Sequence, residues 1–121
     1  MPAPTVGRIT TRTAFAELQR SRARGSSGPV RAVFVPAESS APGVFPQVGY
    51  AVGKQCGSAV VRNRLRRRAR EVIRSEAHRL PRGTYLLRFS PGSATAKPEA
   101  FRADVAKAVR RASRAQATDA R

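Results

Sequence analysis

The sequence KQCGSAVVRNRLRRRARE, which runs from Lys54 to Glu71, decides how this chain folds. At about 100° per residue it predicts a helix whose apolar stripe contains Val61, Leu65 and Ala69. A polar ridge adjoins that stripe, and its members are Arg62, Asn63, Arg66, Arg67, Arg70 and Arg74. One side of this helix can therefore pack against the protein, while the other side offers guanidinium groups to a polyanion.

The charge of the chain makes a nucleic acid the best candidate for that polyanion. Among 121 residues, 24 are basic and 7 are acidic, which gives a net charge of +17, and 21 of the basic residues are arginine. The planar arginine side chain can grip a phosphate with two hydrogen bonds and can stack on an unpaired base. The composition therefore favours an RNA-binding protein.

Length and composition predict one small domain. We expect a flexible arm over residues 1–7, a single RNA-binding domain over residues 8–115 and a flexible tail over residues 116–121. The sequence contains neither a secretory signal nor an apolar run long enough to span a membrane. The single cysteine, Cys56, can form no internal disulfide, which suits a reducing compartment. We therefore expect a cytoplasmic protein with no membrane partner.

The pattern of apolar residues predicts an α+β fold, a two-layer sandwich of a small sheet with helices on one face. Residues 21–29 are predicted to be a break between elements, because they are rich in Ser and Gly. The predicted helices span 14–22, 58–79 and 98–115, and the predicted strands span 30–35, 48–53 and 84–89.

The chain offers little for catalysis on its own. Its sole histidine, His78, has no evident catalytic partner, and its acidic residues are scattered rather than clustered as a metal site requires. Helical spacing instead predicts surface ion pairs of Glu71 with Arg67 or Arg74, and of Glu76 with Arg79.

Two segments of the chain resemble the bacterial ribonuclease P protein subunit. The first is the strand VGYAVGK, from Val48 to Lys54, followed by GSAVVRNRLRR, from Gly57 to Arg67; the second is YLLRF, from Tyr85 to Phe89. This resemblance implies a mixed sheet like that of the second domain of ribosomal protein S5, with a left-handed βαβ crossover. It also implies two partners, a catalytic ribonuclease P RNA and a precursor tRNA that is cut at the 5′ end of the mature tRNA, with no small-molecule ligand. The RNA would carry the active site and hold most of the magnesium.

The resemblance also implies which residues bind RNA. Residues that match the family's basic region are Lys54, Arg62, Asn63, Arg64, Arg66, Arg67 and Arg70. The family binds the single-stranded 5′ leader of its substrate in a cleft between sheet and helices, where aromatic rings can stack on unpaired bases. Phe15 and Phe34 match the aromatic positions of that cleft, and the alternative for both is a place in the core.

Other RNA-binding proteins share this size, charge and fold class. A structural RNA-binding protein of ribosomal type is therefore the alternative function. A DNA-binding regulator is the third possibility, and it lacks both an evident base-reading helix and a dimer surface.

Overall fold

The computed structural model describes residues 16, 18–36 and 46–119. Phe15, the predicted arm over residues 1–7 and residues 120–121 lie outside this part of the chain. Within it, the strands are β1 (Arg24–Ser27), β2 (Val30–Pro36), β3 (Gln47–Val52) and β4 (Gly83–Phe89). The helices are α1 (Ala59–Glu76), α2 (Gly92–Thr95) and α3 (Pro98–Asp119), with single 3₁₀ turns at Lys54–Cys56 and Ala77–Arg79.

The four strands form one mixed sheet in the order β1-β2-β4-β3. Strand β2 pairs antiparallel with both β1 and β4, whereas β3 pairs parallel with β4. Helix α1 connects the two parallel strands, since parallel neighbours need a crossover connection. The predicted α+β fold with a mixed sheet is confirmed, and the left hand of its crossover stays a prediction.

Helices α1 and α3 pack on the same face of the sheet and build the main core. Successive strand residues point to opposite faces, so alternate positions of β2 and β4 enter this core. The rings of Phe34 and Tyr85 stack there with their centroids 4.5 Å apart, and Phe89 packs against Phe101 of α3 with centroids 5.7 Å apart. Leu65 supplies the apolar side of α1 and is 2% exposed, as its helical spacing predicted.

A smaller cluster lies on the opposite face of the sheet. Ala16 and residues 18–20 are helical, and Leu18 packs with Val33 of β2 and Leu86 of β4. Ser21 follows this helical segment and donates a hydrogen bond to the carbonyl oxygen of Phe34 at 2.6 Å. The expectation that every helix lies on one face was therefore wrong, because the alternation of β2 and β4 gives each strand apolar residues on both faces.

Strand β1 lies within residues 21–29, which the sequence predicted to be a break. Its sequence RGSS has low strand propensity. It forms a strand because α3 holds it against β2: Arg111 donates to the carbonyl oxygen of Ser26 at 2.6 Å, and Ser27 donates to the Asp104 carboxylate at 2.7 Å. A Cβ on Gly25 would meet the carbonyl oxygen of Ala108 at 2.5 Å, so only glycine allows this close approach.

The helix ends follow local sequence signals. Ser58 caps α1, because its side-chain oxygen accepts a hydrogen bond from the Val61 backbone N–H at 3.3 Å. The 3₁₀ turn after α1 ends at Arg79, the predicted end of the helix. Helix α3 continues to Asp119 and therefore includes residues 116–119, which the sequence predicted to belong to a flexible tail.

Candidate nucleic-acid interface

Helix α1 presents most of its basic residues to solvent. Arg62 and Arg66 are half-buried, whereas the exposed members of the predicted set are Lys54, Asn63, Arg64, Arg67 and Arg70. The Nη1 atom of Arg66 donates to the side-chain oxygen of Asn63 at 2.9 Å, which fixes the direction of that guanidinium. The Nε atom of Arg62 is buried and makes no hydrogen bond with any described residue, so the inner part of this side chain packs on the protein.

The predicted RNA-binding residues of α1 do not share one side of the helix. At 100° per residue, Arg64 lies about 160° around the helix from Arg66. Arg66 and Arg70 lie on the side toward strand β3, because Arg70 covers the ring of Tyr50 on that strand, with its guanidinium carbon 5.6 Å from the ring centroid. Helix α1 can therefore contact anionic groups on two different sides.

Tyr50 of strand β3 lies beside this basic surface, beneath Arg70. Burial raises the pKa of its hydroxyl to about 12, against the smaller opposing effects of Arg70 and Arg74. The Arg70 guanidinium lies over the ring in a cation–π contact, an arrangement that holds a cation near an aromatic face. Tyr50 therefore orients Arg70 and keeps its own proton at neutral pH.

Two arginines that the sequence analysis did not select lie next to each other on the sheet. Arg31 of β2 is the direct cross-strand partner of Arg88 of β4, and the row continues to Ser26 on β1 and Ala51 on β3. Both arginines are exposed, on the face opposite the main core. Strand alternation was the signal that could have found them, since each arginine is flanked by buried residues.

Two grooves lie along this sheet face, and the second of them reaches helix α1 at Arg66. The first has a volume of about 340 Å³ and is lined by Arg24, Gly25, Ser26, Arg31, Ala32, Val33 and Arg88. The second has a volume of about 470 Å³ and is lined by Tyr50, Ala51, Val52, Gly53, Gln55, Arg66, Arg88 and Phe89. Because Arg88 lines both grooves, they form one continuous basic surface. We call this surface the basic track, and its charged members are Arg24, Arg31, Arg88 and Arg66.

The two predicted stacking residues have different outcomes. Phe34 is 1% exposed and stacks on Tyr85 inside the core, so neither face of its ring can meet a base. The hypothesis that Phe34 stacks on the leader was therefore wrong, and the alternative of a core residue holds. Phe15 lies outside the described residues and stays a prediction.

Two glutamates of α1, Glu71 and Glu76, are each paired with an arginine of α3. Glu76 accepts two hydrogen bonds from Arg110, at 2.6 and 3.1 Å, and Glu71 lies 3.8 Å from Arg102. The predicted pairs with Arg79, Arg67 and Arg74 were wrong, because α3 packs beside α1 and supplies arginines at better positions. Within residues 16, 18–36 and 46–119, no group of three or more His, Cys, Asp or Glu side chains could hold a metal ion.

No helix in the described part of the chain is long and apolar enough to cross a membrane.

Comparison with known proteins identifies the family. The Ribonuclease P family model matches residues 4–113. The ribonuclease P protein component of a Synechococcus species is 34% identical, over 98% of this chain and 90% of its own length. That of Kocuria rhizophila is 38% identical, over 89% of this chain and 96% of its own.

Solved structures show the same fold. The ribonuclease P protein of Staphylococcus aureus superposes with a TM-score of 0.71 at 15% identity, covering 88% of each chain. That of Thermotoga maritima superposes with a TM-score of 0.66 at 17% identity, covering 81% of this chain and 90% of its own. These matches do not favour the ribosomal-type alternative. The chain belongs to the family of bacterial ribonuclease P protein components, the protein subunits of the ribonucleoprotein that matures the 5′ end of tRNA.

Proposed function

We propose that the chain binds the catalytic RNA of ribonuclease P through the outward side of α1 and binds the 5′ leader of precursor tRNA along the basic track. The RNA subunit carries out the cleavage in the cytoplasm, and the protein alone is inactive. The protein increases the affinity for substrates that still have a leader.

The pairing of Arg31 with Arg88 carries this proposal. Like charges that face each other across two strands destabilise a sheet. A polyanion on this surface would relieve that repulsion, and single-stranded nucleic acid follows a positively charged groove by its phosphates. The basic track crosses the strands and ends at Arg66 of α1, so an extended strand can follow it from β1 to the helix.

The two sides of α1 support different partners for its basic residues. Arg66 lines the groove that contains Arg88, so we assign it to the leader. Arg70 lies on the same side as Arg66 and covers Tyr50 of that groove, so we assign it to the leader as well. Asn63 and Arg67 are exposed outside this groove, and Arg64 lies farther around the helix. We assign these three residues to the RNA subunit. Lys54 is exposed in the 3₁₀ turn before α1, where it can reach either RNA.

Magnesium belongs to the RNA in this proposal. The described carboxylates that approach a cation do so singly and toward arginine, as in the pair of Glu76 with Arg110. A metal-dependent nuclease of protein alone needs convergent carboxylates instead.

The proposal is tested by multiple-turnover cleavage of a precursor tRNA at low magnesium. Three samples are compared: the cognate RNA alone, the protein alone, and both together. We expect cleavage at the mature 5′ end to be fast only in the mixture. A protein that neither binds the cognate RNA nor accelerates cleavage would contradict the assignment as its subunit.

Variants then test the division between the two RNAs. R31A/R88A should weaken binding of precursor tRNA to the holoenzyme and leave binding of mature tRNA unchanged. R64A/R67A should instead weaken assembly with the RNA subunit. K97A/R102A is the matched control, because it removes two positive charges from exposed positions outside the basic track. Equal effects of all three double variants would show that net charge alone matters.

A further inference from the structure

A third groove lies between the end of α1 and helix α3, on neither of the surfaces assigned above. It has a volume of about 510 Å³ and is lined by Arg79, Leu80, Pro81, Arg110, Ser113 and Arg114. Three arginines therefore converge on one concavity. We call it the α3 groove.

The ion pairs of the fold leave this groove positive. Glu76 is 8% exposed, and its carboxylate is bound by the Nε and Nη2 atoms of Arg110, which lines the α3 groove. The sequence predicted that Glu76 would neutralise Arg79. Because Arg110 takes that role, Arg79 is exposed and makes no ion pair with any described residue. Arg79 thus adds a positive charge to the groove, and the third guanidinium nitrogen of Arg110 lies outside its pair with Glu76.

The chemistry of the lining selects phosphate over unpaired bases. Tyr85 touches the groove through its lining residue Pro81, but this tyrosine is fully buried and donates its hydroxyl hydrogen to the carbonyl oxygen of Pro81 at 2.7 Å. No lining residue offers a ring on which a base could stack. Arginine forks bind phosphate with charge-assisted hydrogen bonds, and these contacts recognise the backbone of a folded RNA.

The α3 groove lies beyond the end of the helix that carries the family's basic region. From the 1.5 Å rise per residue of a helix, Arg79 is about 25 Å from Arg62 and about 13 Å from Arg70 along the helix axis. A contact at the groove can therefore reach a different segment of RNA. The leader is already assigned to the basic track, on the other face of the sheet, so the folded RNA subunit is the better occupant of the α3 groove.

We propose that the α3 groove, through Arg79, Arg110 and Arg114, binds the phosphate backbone of a second segment of the ribonuclease P RNA subunit. This inference rests on the proposed RNA partnership and adds a second contact to it. The protein would then bridge two parts of the RNA rather than contact one.

The test measures the affinity of the full-length protein for the cognate ribonuclease P RNA at several salt concentrations. R79A/R114A removes two groove arginines and keeps Arg110, which neutralises the buried Glu76. We expect the slope of log affinity against log salt to fall by about two, because each lost phosphate contact lowers it by about one. K97A/R102A is the control and should keep the slope of the unchanged protein. Thermal unfolding of each variant shows that it is folded.

Three further arms separate this inference from the proposed function. R64A/R67A tests the first contact. If R64A/R67A weakens binding of the RNA subunit and R79A/R114A does not, only the α3 groove proposal is overturned. Mature tRNA and an isolated leader oligonucleotide replace the RNA subunit in the other two arms. A slope change for R79A/R114A with mature tRNA or the leader, and none with the RNA subunit, would also overturn the inference. Hydroxyl-radical footprinting should show two separate protected segments of the RNA subunit, of which R79A/R114A loses one.

Discussion

Arg31 and Arg88 face each other directly across the two central strands of the sheet. Their guanidinium groups lie on the exposed face, at the point where two grooves meet. Two like charges in direct register reduce stability by roughly 0.2–1 kcal/mol. The pair lowers the stability of the free protein, so a bound polyanion explains it better than the fold does.

Replacing Arg31 with threonine should therefore separate stability from binding. Threonine suits an exposed strand position, and R31T removes the like-charge contact. We expect the free energy of unfolding in denaturant titrations to stay the same or to rise by up to about 1 kcal/mol. Binding of precursor tRNA by the holoenzyme should weaken at the same time. A stability loss of similar size to the binding loss would assign Arg31 a structural role instead.

The two ion pairs between α1 and α3 should differ in their contribution to stability. R110A leaves the buried carboxylate of Glu76 without a partner, which costs about 1–3 kcal/mol. R102A breaks a pair whose side chains are 60% and 56% exposed, and such surface pairs contribute about 0–1 kcal/mol. The two variants remove the same charge from the same helix and are compared by chemical denaturation. Equal losses would mean that the burial of Glu76 does not matter.

The sequence predicts well those elements whose pattern depends on their own residues. The apolar stripe with Leu65 places α1, and the β-branched and aromatic residues of Val30–Val35 place β2. Strand β1 was missed because RGSS has no such pattern and is a strand only through contacts with α3. The partner of Glu76 was missed for the same reason, since spacing along α1 says nothing about Arg110 on another helix.

The candidate site shows the same division. The resemblance selected the basic residues of α1, and the structure places most of them in solvent. The resemblance also selected Phe34. Because β2 has apolar residues on both faces, its sequence could not show that this ring would enter the core and stack on Tyr85. Arg31 and Arg88 lie 57 residues apart in sequence, and only the pairing of β2 with β4 brings them together.

Gly25 should be essential for the packing of α3 on β1. A methyl group there would meet the backbone of α3 at Ala108 and Ala112 at 2.5 Å, and helix backbone cannot move aside easily. We expect G25A to lower the free energy of unfolding by about 1–3 kcal/mol. G92A is the matched control, because its new methyl group would meet only the Pro29 side chain at 3.5 Å. A G25A protein as stable as G92A would mean that α3 can shift away from β1.

Tyr50 should titrate well above an ordinary tyrosine. Burial raises its pKa from 10.0 to about 12, and burial also raises the pKa of Tyr85. The folded chain thus keeps a proton that the unfolded chain releases above pH 10, so the stability from Tyr50 is complete below pH 10 and is lost as the pH rises through about 12. Tyrosinate absorbance of the folded protein should show its first transition near pH 12, and Y50F should abolish that transition. In denaturant both tyrosines should titrate near pH 10, and a folded protein that already titrates there would show that the Tyr50 hydroxyl is open to water.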